Sequence, residues 1–270
     1  MLSPIIDNQF VVRLTALLMI VLLVASWEIF KPRRPLSISK LLRWTNNWLI
    51  SVVNTVLLSL VFPVMAVGVA VLADERNWGL FNVLEVPAPL SIPVFMLAFD
   101  FAIYWQHRLY HWVPVLWRLH RMHHADPDFD VSTGIRFHPV SIILSMLIKL
   151  LVVVLLGPPA IAVLMSEVIL NVTSMFNHGN IFITPRADKF LRLFLVTPDM
   201  HRLHHSVIAE ETNSNFGFNF PWWDRLFGSY RDQPRGEHVS MEVGVRGFQN
   251  AEDQILHRLV LHPLYKQEPE

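Results

Sequence analysis

The sequence predicts an all-α integral membrane protein of four to five transmembrane or hairpin helices, with a cytosolic cap of histidine-rich helices. The 270-residue chain is 53% hydrophobic and only 16% charged, which is too apolar for an ordinary soluble domain. Its apolar residues fall in runs of about 20, the length of helix that crosses the hydrocarbon of a bilayer. Most of its histidines fall instead in short polar stretches after these runs.

Three apolar runs define the first expected spans. The first extends from about Phe10 to Phe30 and the second from about Trp48 to Ala73. The third begins near Pro93 and enters the first histidine-containing stretch around Tyr104. We expect the first run to be a retained helix, because no basic segment precedes it and no small-residue cleavage pattern follows it.

The fourth apolar region, residues 140–172, is interrupted by Gly157-Pro158-Pro159. Proline and glycine end helices, so this region predicts two short helices that form a hairpin. Lys149 and Glu167 lie inside it, and a charge at membrane depth marks a functional site by default. We expect Lys149 to extend its ammonium to the membrane surface or to line a face buried in protein.

The distribution of charge assigns the two sides of the membrane. The loop between the first two spans is basic and contains no acidic residue, as is typical of a cytoplasmic loop, whereas the next loop is mainly acidic. The third span then returns to the cytoplasm, so the histidine-rich stretches are expected on the cytoplasmic face. The basic residues of the first loop are Lys31, Arg33, Arg34, Lys40 and Arg43.

Eight histidines stand in three short boxes. The first box holds two histidines four residues apart, and the other two boxes repeat the pattern His-x-x-His-His. Residues three and four apart share a helix face, so each box can direct its imidazoles to one side. Imidazole suits iron, zinc, copper and nickel, and eight convergent histidines exceed the ligands of one ion, which implies two metal ions. The histidines are His107, His111, His120, His123, His124, His201, His204 and His205.

Other kinds of site are disfavoured by what the chain lacks. It has no cysteine, which removes disulfides, iron–sulfur clusters and thiolate zinc sites. It has no His-Glu-x-x-His string, the signature of a zinc protease. The Glu-x-x-His pairs of soluble di-iron bundles are also missing. The sequence therefore favours a dinuclear site that is rich in histidine and poor in carboxylate.

The chain resembles the fatty acid hydroxylase / sterol desaturase superfamily of membrane-bound di-iron oxygenases between about Asp100 and Tyr230. The resemblance implies that cytosolic histidines bind two iron ions, with dioxygen as co-substrate, to oxidise a C–H bond of a lipid. Hydroxylation is the usual outcome, and some relatives desaturate or cleave ether lipids. Besides the two His-x-x-His-His boxes, the matching stretches are Asp100-Phe-Ala-Ile-Tyr104-Trp105-Gln-His107-Arg108, Arg136-Phe-His138-Pro139, Asn177-His178-Gly179, Asn215-Phe-Gly217 and Trp223-Asp224-Arg225-Leu-Phe227-Gly228-Ser-Tyr230.

The resemblance also implies ligands beyond the eight that the spacing indicates. His178 matches a further family ligand, but Ser174 stands where some members place another histidine, four residues earlier. Either one ligand is missing or His138 replaces it, so both His138 and His178 enter the predicted ligand set. The remaining histidines, His238, His257 and His262, are expected at the surface.

Metal-bound imidazoles usually donate their second N–H to a carboxylate or a carbonyl, which fixes the tautomer and the direction of the ring. Three aspartates near the boxes are the predicted acceptors: Asp100, Asp130 and Asp199. The alternative role of each is a helix cap or a surface charge.

The functional hypothesis is a membrane-bound oxygenase with a lipid substrate. A histidine-rich metal transporter or sensor is the alternative, and it would place ligands near the middle of several spans. No nucleotide-binding loop, haem motif or fused carrier domain is visible, so electrons are expected from a separate ferredoxin, cytochrome or reductase. No nucleic-acid partner is expected. Sterol, fatty acyl, sphingoid, ether-lipid and carotenoid substrates stay open.

The chain is expected to form one integral membrane domain over residues 1–270. Within it we predict a two-helix membrane region over 1–92 and a fatty acid hydroxylase-like catalytic core over 93–230. A cytosolic carboxyl-terminal tail is predicted over 231–270, with a short amphipathic helix between Ala251 and Leu261.

Overall fold

The computed structural model describes residues 3–266, and this part of the chain is helical, with two isolated β-bridges as its only strand pairing. The all-α prediction is therefore confirmed. Three 3₁₀ helices cover Val131–Ile135, Ala251–Gln254 and His262–Leu264. The α-helices α1 to α14 are, in order, Ser3–Asp7, Gln9–Phe30, Lys40–Val61, Ala66–Glu75, Leu80–Val83, Ala88–Trp112, Pro114–His124, Pro139–Leu156, Ala160–Asn177, Pro185–Leu191, Pro198–His204, Ala209–Thr212, Trp222–Leu226 and Leu256–Leu261.

Five regions of the described chain are long and apolar enough to cross a membrane, which confirms the expected multi-span architecture. They are Gln9–Phe30, Lys40–Val83, Ala88–Trp112, Pro139–Leu156 and Ala160–Asn177. The last of these, α9, lies at the centre of the bundle: 56% of its apolar stretch is buried inside the protein, whereas 11–33% of the corresponding stretches is buried in the other four regions. It packs against α2, α4 and α6, and the apolar core between α4, α6, α8 and α9 contains Phe95, Phe99 and Leu164.

The second span differs from its predicted bounds. The helix α3 begins at Lys40, eight residues before the predicted start at Trp48, with the Ser39 hydroxyl accepting from the Leu42 N–H. It begins early because its polar residues are buried rather than solvated: Arg43 and Asn47 are fully covered by the rest of the protein. It ends at Val61, since Pro63 follows, and the remaining apolar residues form the separate helix α4.

The predicted hairpin is present as α8 and α9, joined by Gly157-Pro158-Pro159. Gly157 caps α8 in the left-handed conformation, with φ of 61°. A Cβ at Gly157 would lie 2.3 Å from the Trp78 carbonyl oxygen, and one at Gly79 would lie 2.2 Å from the Gly157 nitrogen. Only glycine permits this approach, and it fixes the tip of the hairpin against the α4–α5 loop.

The charges inside the hairpin are paired within the protein. Glu167 on α9 accepts from Arg13 on α2 at 2.6 Å, and the Lys149 ammonium on α8 lies 3.8 Å from the other Glu167 oxygen. Lys149 also faces the Phe99 ring. The expectation that Lys149 lines a protein-buried face agrees with this cluster, which joins three membrane helices.

A polar layer, formed by residues 125–137 between α7 and α8, covers one end of the bundle. Buried side chains connect this layer to the membrane spans. Arg43 on α3 binds Asp126 and Asp130 at 2.7 Å each, and Glu28 on α2 accepts from the Val131 N–H. The Ser174 hydroxyl on α9 donates to the Gly134 carbonyl. Burial alone would raise the pKa of Asp126, but the charge of Arg43 outweighs it and holds that pKa well below its usual range.

The carboxyl-terminal segment folds onto this layer. The single helix predicted between Ala251 and Leu261 is divided into a 3₁₀ turn and α14, with Leu259 fully buried. The α14 helix packs on α3, and the last 3₁₀ turn packs on α7. Gln254, the last residue of the 3₁₀ turn before α14, donates to the Ala125 carbonyl and accepts from Arg136 at 2.7 Å. The carboxyl-terminal segment therefore supports the polar layer.

Candidate metal centre

Nine of the ten predicted histidine ligands converge at the end of the bundle that the polar layer covers. They form two groups, and within each group one ring nitrogen of every member lies within 4.8 Å of the others. The five-histidine group is His107, His111, His120, His124 and His204. The four-histidine group is His123, His178, His201 and His205.

The two His-x-x-His-His boxes each divide between the groups. On α7, His120 and His124 face the five-histidine group and His123 faces the other. On α11 the division is reversed, since His204 joins the five while His201 and His205 join the four. A helix turns about 100° per residue, so the side chains at positions i and i+4 point in more nearly the same direction than those at i and i+3. The groups are adjacent: the His124 and His205 rings stack at 4.2 Å.

The ring nitrogens approach one another at distances that suit ligands of a common ion. Two imidazole nitrogens about 2.1 Å from a metal and about 90° apart are separated by about 3.0 Å. The observed Nε2–Nε2 distances between pairs in the same group are 3.0 to 3.2 Å. The pairs are His107–His204, His120–His124, His123–His178 and His178–His201.

Backbone carbonyls hold four of the rings in one tautomer. A carbonyl can only accept, so each of these rings carries its proton on Nδ1 and directs the lone pair of Nε2 into the group. The pairs are His107 with the Phe216 oxygen at 2.8 Å, His123 with Arg136 at 3.1 Å, His178 with Ser174 at 2.7 Å and His204 with Ser214 at 2.7 Å.

Each of the other five rings also has a buried nitrogen without a hydrogen-bond partner in the described chain. These nitrogens are Nε2 of His111, Nδ1 of His120, His124 and His201, and both ring nitrogens of His205. Burial lowers the pKa of His178 to about 3, and it also lowers those of the α7 and α11 histidines well below their usual value. Neutral imidazoles with free lone pairs are the form that binds a metal, so the donor set fits two metal ions.

His138 lies outside both groups, and the expectation that it replaces a missing ligand is corrected by the structure. It caps α8: its Nδ1 accepts from the Val140 N–H at 3.2 Å, while Nε2 lies 3.0 Å from the Val260 carbonyl. Both ring nitrogens are therefore engaged by backbone. His138 directly precedes Pro139, the first residue of α8, so it stands at the N-cap position of that helix.

The three predicted aspartate acceptors do not contact any of the nine rings by a hydrogen bond in the described chain. Asp100 accepts from the Trp223 indole at 2.8 Å, Asp130 from Arg43 and Trp44, and Asp199 from Arg33 at 2.9 Å and from Arg202. Backbone carbonyls, and not these carboxylates, accept from the clustered imidazoles. The carboxylates instead join the elements that carry the histidines.

One irregular segment, 214–218, was not predicted as part of the site. Its carbonyls at alternate residues face the metal centre: Ser214 accepts from His204, Phe216 from His107 and Phe218 from the Asn177 amide. The buried Asp224 holds the segment by accepting the Phe216 and Gly217 N–H groups at 2.8 Å each. A Cβ at Gly217 would lie 2.8 Å from that carboxylate.

Two histidines expected at the surface are buried. His262 is 1% exposed and contacts Arg121, and His238 is 8% exposed beside Asp199. His257 is exposed as expected. A cavity of about 200 Å³ reaches the five-histidine group from the surface, with His111, His124 and Trp117 in its wall.

The chain belongs to the fatty acid hydroxylase family, whose match covers residues 92–229, just over half of the sequence. This range contains both histidine groups and the segment 214–218. The resemblance drawn from the boxes is thereby confirmed.

Three curated relatives show the range of proteins that this chain is similar to. The ornithine lipid hydroxylase OlsE of Rhizobium tropici is 29% identical over 60% of this chain and 47% of its own length. The alkylglycerol monooxygenase of Xenopus tropicalis is 25% identical, over 72% of this chain and 43% of the relative. The human lathosterol oxidase is 27% identical, over 58% and 49%. The chain thus spans about half the length of these relatives, and no solved structure matches it.

Proposed function

We propose that this protein is a membrane-bound oxidoreductase whose nine clustered histidines bind two iron ions and which hydroxylates or desaturates a lipid. The observation that carries the proposal is the pair of buried, neutral histidine groups at one end of five apolar regions, in a chain of this family. Relatives named hydroxylase, monooxygenase and oxidase favour iron over zinc, because zinc has no redox chemistry.

The bound irons would supply the activation of dioxygen and the oxidation of a C–H bond. The protein's own part is to bind and to orient. Carbonyls of the segment 214–218 fix the directions of His107 and His204, and burial excludes water from the four-histidine group. The cavity beside His111 and His124 gives small reactants and one end of a substrate access from the surface.

The histidine groups lie at the ends of the membrane spans, and this position determines which substrates can reach them. His107 and His111 occupy the last turns of α6, and His178 directly follows α9. A site at this level can take a chain that lies in the adjacent leaflet. We propose a lipid substrate, electrons from a separate carrier, and a cytoplasmic position for the histidine groups, the last on the basic loop between α2 and α3.

The alternative of a metal transporter or sensor fits the geometry less well. A transport path needs ligands along the middle of several spans. Seven of the nine clustered histidines lie outside the five membrane-length regions, and the other two are in the final turns of α6. The ligands form one closed centre rather than a path.

Incorporation of labelled oxygen into cellular lipid tests this function. Membranes containing the protein, supplied with heavy-isotope dioxygen, NADPH and a host reductase fraction, are expected to yield lipids carrying one labelled oxygen or two fewer hydrogens. The variant His204→Ala is the matched negative, since it inserts in the membrane but lacks one ligand. Identical lipid profiles from the wild type and His204→Ala, with iron bound to the wild type, would contradict the proposal.

A further inference from the structure

A second cavity, of about 340 Å³, lies apart from the two histidine groups and is here named the interfacial pocket. Its wall is formed by the loop after α2, by α10, by the first turn of α11 and by the polar segment 232–238. The groups that carry charge or hydrogen-bonding capacity there are Arg33, Asp188, Lys189, Arg192, Asp199, Asp232, Gln233 and His238.

Two polar groups in this wall have unmet hydrogen-bonding capacity. His238 is 8% exposed, and neither of its ring nitrogens has a hydrogen-bond partner. Burial lowers the pKa of His238 to about 4, so the neutral ring offers one N–H donor and one acceptor. Asp188 uses one oxygen for Arg192, and its Oδ1 is buried without a partner. Leaving such buried atoms without partners destabilises the folded protein, which favours a polar ligand.

The charges in the pocket are of both signs, and most of them are paired with one another. Arg33 is paired with Asp199 at 2.9 Å, and Arg192 with Asp188 and Asp232. Lys189 has no ion pair in the described chain and is exposed. An ammonium without an ion pair and a carboxylate oxygen without a hydrogen-bond partner therefore stand on consecutive residues of α10, which matches a ligand that itself carries an anion and an ammonium.

Exposed aromatic residues stand close in sequence to the wall of the pocket. Phe30 at the end of α2, shortly before Arg33, is 82% exposed, and Phe190, next to Lys189 on α10, is 62% exposed. Phe182 joins them, since its N–H donates to the Lys31 carbonyl and its ring lies under Arg33. Exposed aromatic residues beside a polar cavity, continuous with an apolar span, are typical of the boundary between hydrocarbon and head groups.

We propose that the interfacial pocket binds the zwitterionic head group of a membrane lipid. Its ammonium would lie at Asp188 Oδ1, and its phosphate or carboxylate at Lys189 and the N–H of His238. The acyl chains would extend past Phe190 and Phe30 into the leaflet. A metal ion is not the expected ligand, since neither group of clustered ligand atoms found in the described chain includes Asp188 or His238.

The pocket is connected to the metal centre by a short path. Asp199 in its wall is two residues before His201 on the same helix and pairs with Arg202. A head group held here would leave its chains beside the bundle, near the level of the histidine groups. Whether the bound lipid is the substrate rests on the proposed function, whereas the binding itself does not.

The test is lipid binding to the whole purified protein, with its metal bound, in detergent, followed by native mass spectrometry. The probes are phosphatidylethanolamine, phosphatidylglycerol and diacylglycerol with identical acyl chains, added together in equal amounts. We expect one phosphatidylethanolamine to bind in preference to the others. The variant Lys189→Ala is expected to weaken that binding at least tenfold, which corresponds to about 1.4 kcal/mol. Arg186→Ala, an exposed cation on the same helix that is outside the pocket, is the matched control.

Equal binding of the three lipids, or equal affinities of Lys189→Ala and Arg186→Ala, would overturn the proposal. A second variant, His238→Phe, fills the polar cavity with an apolar ring and is expected to remove the preference for the zwitterionic head group. In a working lipid oxidation assay, a higher KM of Lys189→Ala with unchanged kcat identifies the bound lipid as substrate, and an unchanged KM identifies it as a bilayer lipid. Because binding needs no metal, its failure would leave the proposed oxidation in place.

Discussion

At the scale of single residues, the direction of each imidazole decides which group it serves. His123 is adjacent in sequence to His124, yet the two belong to different groups, with their rings at 90°. The His123 ring stacks on Phe137 at 4.5 Å and donates to the Arg136 carbonyl. Packing and one hydrogen bond therefore select the direction, in addition to the helical spacing.

The substitution His123→Ala tests this assignment. It removes one of four ligands from the four-histidine group and is expected to leave only the ion of the five-histidine group, so bound metal should fall to about one ion per chain. The measurement is metal content by mass spectrometry, with size-exclusion chromatography to confirm folding.

His138→Ala is the matched control, since the same residue type is removed from a helix cap outside both groups. Bound metal should stay unchanged, and stability should fall by roughly 1 kcal/mol because the cap is lost. Equal metal loss in the two variants would show that His138 belongs to the centre after all.

Residue spacing predicted most of the ligands because helical periodicity is local. The eight box histidines needed only the spacing, and His178 needed the resemblance. His138 could not be separated from the ligands in this way. Its position depends on the Val260 carbonyl, 122 residues away, and no local pattern reports such a contact.

At the scale of elements, the segment 214–218 shows how irregular backbone can position a site. It forms no regular helix or strand, and Asn215 within it has a positive φ of 52°. Its carbonyls at residues 214, 216 and 218 accept from His204, His107 and Asn177. Asp224 at the centre of the turn satisfies two of its N–H groups.

The substitution Asp224→Asn is expected to displace this segment. One carboxylate oxygen becomes an amide NH₂ that cannot accept, so either Phe216 or Gly217 loses its partner. Through His107 and His204 we expect metal affinity of the five-histidine group to fall about 10- to 100-fold. Competition with a metal indicator dye measures it, and Asp232→Asn, an exposed carboxylate in the same region, is the control. An unchanged affinity in Asp224→Asn would remove the segment from the site.

The elements themselves were predicted unevenly, for physical reasons. The hairpin of α8 and α9 was predicted well because Gly157-Pro158-Pro159 ends a helix in any surroundings. The start of α3 was predicted eight residues late, because Arg43 and Asn47 are hidden by Asp126 and Ser132 from a different part of the chain. Hydropathy counts such residues as solvated, and only tertiary contacts show that they are buried.

At the scale of the whole molecule, the polar layer and the membrane helices form one body through charges buried at both levels. In the polar layer Arg43 joins Asp126 and Asp130, and in the bundle Glu167 joins Arg13 and Lys149. The central helix α9 carries Glu167 in its middle and ends next to His178. The stability of the bundle and the geometry of the centre therefore share one helix.

The substitution Glu167→Gln is expected to destabilise the bundle. It leaves Arg13 and Lys149 as two cations that lack their shared carboxylate, at a cost of roughly 3 kcal/mol. Thermal unfolding in detergent measures the change, with Glu75→Gln, an exposed carboxylate at the end of α4, as the control. If the two variants unfold at the same temperature, the cluster does not hold the helices together.

The central claim is that one chain of this family holds two metal ions in two separate histidine groups. The most direct test is metal content by mass spectrometry on protein purified without a metal-affinity tag after expression with sufficient iron, comparing wild type with His111→Ala and His205→Ala. We predict about two irons per wild-type chain and about one in each variant, each from a different group. No iron in the wild type after full reconstitution, or one ion that both variants lose, would contradict the claim.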